Sequence, residues 1–252
     1  MAVLKCPEFM SIQISELAEA SKFATGTQLE WRSVAAIIDH TLLAPATTQQ
    51  QILDLCQQAV QYGFACVFVN PTYAALAVSL LDGSNVKVGT PVGFPLGTSL
   101  TTTKRQEALD AIRLGVSELD MVINIGALKS GDRNLVQNDI KAVANVTRDA
   151  GAILKVIIEA GLLTLEEKII ACELSVAAGA DFVKTSTGFL DGGAIVDDVA
   201  LMRGVVGDRA GVKASGGLHT LHDVLAMIHA GANRIGTSSG IAIVQELGAP
   251  SL

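Results

Sequence analysis

The residues most able to do chemistry in this chain are three lysines, each carried by a short apolar run: Lys155 in AILKVIIEAG, Lys184 in ADFVKTSTGF and Lys213 in AGVKASGG. A lysine at the end of a buried strand is costly unless it has a partner or a task, because burial disfavours the ammonium form. An ordinary lysine, with a pKa of roughly 10.4, is a poor nucleophile at neutral pH, but desolvation and a second ammonium nearby depress that value. Lys184 and Lys213 fall in successive runs, so each is placed to do this to the other. A neutral amine attacks a carbonyl, and the protonated imine then serves as an electron sink for making or breaking the bond beta to it. Asp120, in SELDMVIN, offers a carboxylate to order water and shuttle protons during carbinolamine dehydration. Each residue taken alone also has a structural reading. A strand lysine can snorkel to a barrel end, and Asp120 can be its salt-bridge partner.

A second signal is rich in glycine. SGG at Ser215 to Gly217 and GTSSG at Gly236 to Gly240 follow two successive apolar runs. Glycines there let backbone N–H groups approach an anion closely, and Ser238 and Ser239 add hydroxyl donors. Either sequence alone could merely turn the chain; their pairing in successive loops points to a phosphate. His219, His222 and His229 show no HExxH spacing and no accompanying carboxylate cluster, so no metal site is expected. Neither a GxSxG elbow nor a GxxxxGK[ST] loop occurs.

These residues need a scaffold, and the chain repeats one unit eight times. The apolar runs AAIIDHTLL, ACVFVNP, VKVGTPVGF, SELDMVIN, AILKVIIEAG, ADFVKTSTG, AGVKASGG and NRIGTSSG alternate with helical patterns. Thr47 or Thr48 can cap the first of these helices and Gly63 can stop it, while Thr164 starts the fifth. Runs this apolar fit parallel strands covered on both faces. An open doubly wound sheet competes with a closed one, and periodicity alone does not separate them. The count of eight and the lack of a GxGxxG turn after the first run favour an α/β fold of one kind, a single (β/α)8 TIM barrel over residues 31–252. Residues 1–30 carry no strand signal and form an N-terminal extension, with the spacing of Ile12, Ile14, Leu17 and Ala18 predicting a short amphipathic helix. In a barrel the chemistry sits at the C-terminal end of the strands. That end collects Asp39, Thr41, Asn70, Thr90, Asp120, Asn124, Lys155, Glu159, Lys184 to Thr187, Lys213, Ser215 and Thr237 to Ser239.

Composition limits the alternatives. A chain of 252 residues, half of them hydrophobic, suits one large core. Its net charge of -7, with no basic run, argues against a nucleic-acid surface. Cys6, Cys56, Cys66 and Cys172 are scattered without CxxC spacing, as expected of buried thiols in a reducing compartment. No signal peptide and no membrane-spanning run is evident, and a cytoplasmic protein is expected.

Motif by motif, DHTLL from Asp39, GFPLG from Gly93, ELDMVINIG from Glu118, LKVIIEAG from Leu154, ADFVKTSTGF from Ala180, VKASGG from Val212 and the RIGTSSG ending resemble the deoxyribose-phosphate aldolases, a class I aldolase family. The resemblance runs from about Ile38 to about Ile243, and KTSTG together with VKASGG is its most specific part. It implies that Lys184 forms the Schiff base, Lys213 perturbs it and Asp120 relays protons. It also implies that Gly188, Gly216, Gly217, Ser238 and Ser239 line a phosphate site, and that Asp39 and Thr41 face the sugar hydroxyl region. The implied reaction is reversible cleavage of 2-deoxy-D-ribose 5-phosphate to D-glyceraldehyde 3-phosphate and acetaldehyde, in deoxyribonucleoside catabolism. No metal or organic cofactor is implied, no membrane or nucleic-acid partner, and a homo-oligomer is left open. Some members carry a phosphate-binding lysine directly after KTSTG; this chain has Phe189 there. Phosphate holding would then rest more on backbone groups. A Schiff-base aldolase for another phosphosugar and a non-catalytic phosphosugar-binding barrel are the alternatives. Testing acetaldehyde as donor separates the first, and turnover separates the second.

Overall fold

The computed structural model describes residues 30–251. The expected helix in the N-terminal extension, and Cys6, lie outside the described residues. The short helix α1 (Trp31–Ala35) leads into eight parallel strands that close into a barrel in chain order. They are β1 (Ile38–Leu42), β2 (Cys66–Val69), β3 (Lys87–Val92), β4 (Glu118–Val122), β5 (Ile153–Ile157), β6 (Phe182–Lys184), β7 (Gly211–Ser215) and β8 (Arg234–Thr237). β8 pairs back onto β1 with Ile38 opposite Ile235, so the sheet has no edge and the open-sheet alternative falls.

The outer helices are α2 (Gln49–Tyr62), α3 (Ala74–Leu80), α4 (Thr101–Arg113), α5 (Ile125–Lys129), α6 (Arg133–Ala150), α7 (Leu165–Ala178), α8 (Val196–Val206), α9 (Leu221–His229) and α10 (Gly240–Glu246). Thr48 caps α2 in a reciprocal box with Gln51, and Thr164 caps α7 in one with Glu167. Gly63 ends α2 at φ 65°, where a side chain would be strained. Two elements depart from the sequence expectation. α1 occupies the stretch just before β1, and GALK, between the fourth apolar run and the helix that follows it, is itself helical as α5, because the Asn124 side chain accepts the Ala127 N–H at 3.0 Å and starts a turn.

Alternation along each strand explains how runs that read as uniformly apolar hold a polar interior. Leu119, Met121, Leu154, Val156, Val183, Val212, Ala214 and Ile235 pack outward beneath the helices, each fully buried. Burial on this scale stabilises by about 1.5–3 kcal/mol per large apolar side chain. The intervening positions turn inward: Asp39 and Thr41, Phe68, Glu118 and Asp120, Lys155, Lys184, Lys213 and Ser215, and Arg234. At Gly89 the missing side chain makes room for the Phe68 ring, since an added Cβ would lie 2.3 Å from Phe68 Cε2. That ring fills the barrel centre, and the charged groups collect around it.

Candidate active site

The three lysines converge on one carboxylate. Lys184 and Lys213 are register partners on β6 and β7, and Asp120 and Lys155 are partners on β4 and β5. Lys184 Nζ and Lys213 Nζ each donate to Asp120 Oδ2 at 2.7 Å, and Lys155 Nζ donates to Oδ1 at 3.3 Å. All four residues are buried. The Phe68 ring lies under the amines, with its centroid 4.0 Å from Lys213 Nζ, 4.6 Å from Lys155 Nζ and 5.8 Å from Lys184 Nζ.

The same burial affects the amines differently. Desolvation is the largest influence on Lys184 and lowers it; Asp120 opposes that, while the ammonium groups of Lys213 and Lys155 add to it, leaving Lys184 at about 8. Desolvation also acts on Lys155, but the carboxylates of Asp120, Asp39 and Glu118 outweigh it and hold this lysine well above its usual value. Burial would raise Asp120, yet Lys155, Lys184 and Lys213 together keep it well below the usual carboxylate range. Lys155 is therefore a fixed charge, and Lys184 is an amine that can become neutral near physiological pH.

Above this cluster opens a cavity of about 530 Å³ whose lining includes Lys184, Thr41, Thr187, Gly188, Phe189, Gly216, Gly217, His219 and Ser238. Among the described residues, Lys184 is the one amine of the three that reaches it. The backbone N–H groups of Gly188, Gly216, Gly217 and Ser238 find no acceptor among the described residues, which leaves them available to an anion. Ser239 stands behind the wall, its hydroxyl 3.2 Å from His219 Nδ1. The Phe189 ring lies edge-on to Phe94 with centroids 5.1 Å apart, at the rim.

Asp39 does not reach this cavity. It is fully buried one layer below Thr41, with Oδ1 accepting from Arg234 Nη1 at 2.9 Å and Oδ2 2.5 Å from Lys213 Nζ. Asp39 shares the inner face with Thr41, but depth along the barrel separates it from the sugar region expected for it. Other polar residues expected at this end hold the loops. Thr90 Oγ1 donates to Val69 O, Asn70 Nδ2 donates to Leu43 O, and Thr185 Oγ1 donates to Ser215 O at 3.0 Å while accepting the Ser215 N–H at 3.1 Å. Glu159 is buried at φ 53°, in the left-handed region, and its carboxylate accepts the Thr187 N–H at 3.1 Å. Its neighbours bond the same loop, Ile158 N–H to Lys184 O and Ala160 N–H to Thr185 O.

Glu118, Arg234 and Phe68 had not been singled out by motif. Glu118 pairs closely with Lys155 and lies 3.5 Å from Arg234 Nη1. Its position two residues before Asp120 was the available signal, because both must face the same way. Asp39, Cys66 and Glu118 lie close enough together to hold a metal ion. Lys155, Lys213 and Arg234 already neutralise that grouping, and burial foremost pushes the Cys66 thiol well up, so the donor set is a poor fit for a metal.

Comparison with known proteins agrees with this geometry. The family model described as DeoC/LacD family aldolase matches residues 33–246. A protein of Geobacillus sp. named deoxyribose-phosphate aldolase is 57% identical over 213 residues, covering 84% of this chain and 95% of its own. One of the same name from Thermococcus gammatolerans is 56% identical over 214 residues, with the same coverage of both. Among solved structures, one described as a putative deoxyribose-phosphate aldolase from Coccidioides immitis superposes with a TM-score of 0.85 at 43% identity, covering 93% of this chain and 95% of that one. The tetrameric deoxyribose phosphate aldolase of Aeropyrum pernix gives a TM-score of 0.84 at 30% identity, covering 94% and 99%. With its closed barrel and its amines gathered on Asp120, the chain belongs to the DeoC/LacD aldolase family.

Proposed function

We propose that this chain reversibly cleaves 2-deoxy-D-ribose 5-phosphate to D-glyceraldehyde 3-phosphate and acetaldehyde through a Schiff base on Lys184. One observation carries the assignment of the nucleophile: of three amines gathered around Asp120, Lys184 alone lines the cavity. The shared name of the relatives supports the substrate.

In cleavage, neutral Lys184 attacks the C1 aldehyde, and the carbinolamine loses water to give a protonated imine. Asp120, 2.7 Å from Lys184 Nζ, is placed to hold and return the protons of that step. The C3 hydroxyl then gives up its proton, the C2–C3 bond breaks, and its electron pair moves into the imine to leave an enamine. Glyceraldehyde 3-phosphate departs, C2 takes a proton, and water releases acetaldehyde and restores the amine. The imine is the electron sink, so the step draws on no cofactor. Lys155 and Lys213 supply positive charge beneath the nucleophile. The 5-phosphate is assigned to the N–H groups of Gly188, Gly216, Gly217 and Ser238, with Thr41 toward the sugar hydroxyls. Phe189 contributes no charge there.

No helix among the described residues is long and apolar enough to cross a membrane, which fits the proposed cytoplasmic role in deoxyribonucleoside catabolism. The tetramer of the Aeropyrum pernix relative supports an oligomer here as well. A retro-aldol assay with 2-deoxyribose 5-phosphate, run on wild type and Lys184→Ala, tests the function. Turnover by wild type and its loss in the variant is expected; absence of turnover in wild type, or its survival in Lys184→Ala, would overturn the reading.

A further inference from the structure

Beneath the catalytic trio lies a second tier of charge that the proposed mechanism does not use. Arg234 Nη1 reaches Asp39 Oδ1 at 2.9 Å and Glu118 Oε1 at 3.5 Å, and Glu118 in turn grips Lys155. Asp39 Oδ2 extends this tier to Lys213 at 2.5 Å and to Lys155 at 3.6 Å. The two tiers thus form one continuous network inside the barrel. It contains four cationic side chains, Lys155, Lys184, Lys213 and Arg234, and three carboxylates, Asp39, Glu118 and Asp120. With every group ionised the interior carries one positive charge in excess.

An uncompensated charge in a low-dielectric interior is removed most readily by moving a proton. Arg234 cannot release one, because a guanidinium stays protonated in proteins. Lys155 faces three carboxylates, Glu118, Asp120 and Asp39. Lys213 faces two, Asp120 and Asp39. Lys184 faces Asp120 alone, and it also opens to the cavity through which a proton can leave. Among the described residues, no other inward group alters the balance. Cys66 on β2 is a buried thiol driven far from ionisation, first by burial and then by Glu118 and Asp39. Lys87 on β3 is exposed at the opposite end of its strand, and Glu159 turns its carboxylate to the Thr187 N–H.

We propose that Glu118 and Arg234 are positioning residues that act through this charge balance: as an opposed pair they leave the interior with one positive charge in excess and no more, and the excess selects Lys184 as the amine that loses its proton. The inference deepens the Schiff-base reading given above and rests on it. Glu118 and Arg234 touch no reacting atom in this account. Their effect reaches Lys184 through Lys155, Asp39 and Asp120.

The test is the pH dependence of adduct formation. Wild type, Glu118→Gln, Arg234→Gln and the double variant are each incubated with acetaldehyde and cyanoborohydride across pH 5–10, and ethylated Lys184 is measured by mass spectrometry. Adduct formation rises with pH as the amine becomes neutral. Glu118→Gln removes a negative charge, increases the excess and is expected to move the midpoint down by about half a pH unit or more. Arg234→Gln abolishes the excess and is expected to move it up by a similar amount. The double variant restores an excess of one and is expected to titrate as wild type does. A merely structural role lowers yield or stability without producing shifts of opposite sign that cancel. If one single variant does not fold, the other and the double variant carry the comparison. Shifts of the same sign, an unmoved midpoint in the single variants, or a double variant displaced from wild type overturn the proposal. If wild type itself forms no adduct on Lys184, it is the Schiff-base reading that fails.

Discussion

Substitution of Asp120 by Asn separates the two roles assigned to its carboxylate. Asn keeps the shape and removes the charge. Asp120 Oδ2 lies 2.7 Å from both Lys184 Nζ and Lys213 Nζ. At an effective dielectric constant of about 20, a unit pair at that separation is worth about 6 kcal/mol, equivalent to about 4 pH units. Water entry and side-chain relaxation cut this several-fold, which leaves a shift of at least about one pH unit. The sign follows from what the carboxylate does. It favours the ammonium form of Lys184, so its loss moves the amine below its present value of about 8. The ascending limb of the pH–rate profile should therefore shift to lower pH, while kcat falls by about 10²–10⁴-fold because proton transfer has lost its carrier. Three buried amines would also be left facing one another, and the thermal midpoint should fall by roughly 10 °C. Steady-state retro-aldol kinetics from pH 5 to 10 give both limb and plateau, and a thermal melt gives the stability. An unchanged kcat, or a limb displaced to higher pH, would refute the reasoning.

Lys213→Met removes an ammonium that helps to depress Lys184, so the limb should move above about pH 8 and activity at pH 7 should fall by about tenfold or more, with partial recovery at pH 9–10; pH–rate profiles check this. Gly89→Ala places a Cβ 2.3 Å from the Phe68 ring and should destabilise the barrel by about 1–3 kcal/mol, whereas adding Phe68→Leu should recover much of the loss in thermal melts. Glu159→Ala frees the Thr187 N–H and should raise KM for the phosphorylated substrate more than it lowers kcat, and Glu159→Gln, which keeps an acceptor, should stay close to wild type.

Much of the barrel was legible in the sequence because its signals are local. Eight apolar runs alternating with capped helices specify the unit, and Thr48, Gly63 and Thr164 mark ends where the backbone itself demands them. The meeting of Lys184 with Lys213 was legible too, since consecutive strands in a (β/α)8 barrel are neighbours and each lysine is the third residue of its strand. What the sequence concealed depends on register and depth. Asp39 and Thr41 share an inward face, but only closure of β8 onto β1 shows that Arg234 captures Asp39 a layer beneath the cavity. Phe68 sits in a run, Cys66 to Val69, where inward and outward residues alike are apolar and buried, so no polar alternation exposes its direction. Thr185 falls among the polar residues expected at the catalytic end, yet its hydroxyl is occupied in bonding Ser215 at the end of β7. Such pairing between strands far apart in sequence leaves no local trace.

Of the three buried amines, Lys184 is the one that becomes covalent in the proposed reaction. Incubation of the wild-type protein with 2-deoxyribose 5-phosphate or acetaldehyde, followed by borohydride reduction and peptide mapping, tests this most directly. The account predicts a reduced adduct on Lys184, the lysine that lines the cavity, and an unlabelled Lys155 and Lys213. A label on Lys155 or Lys213, or no label at all, would contradict it.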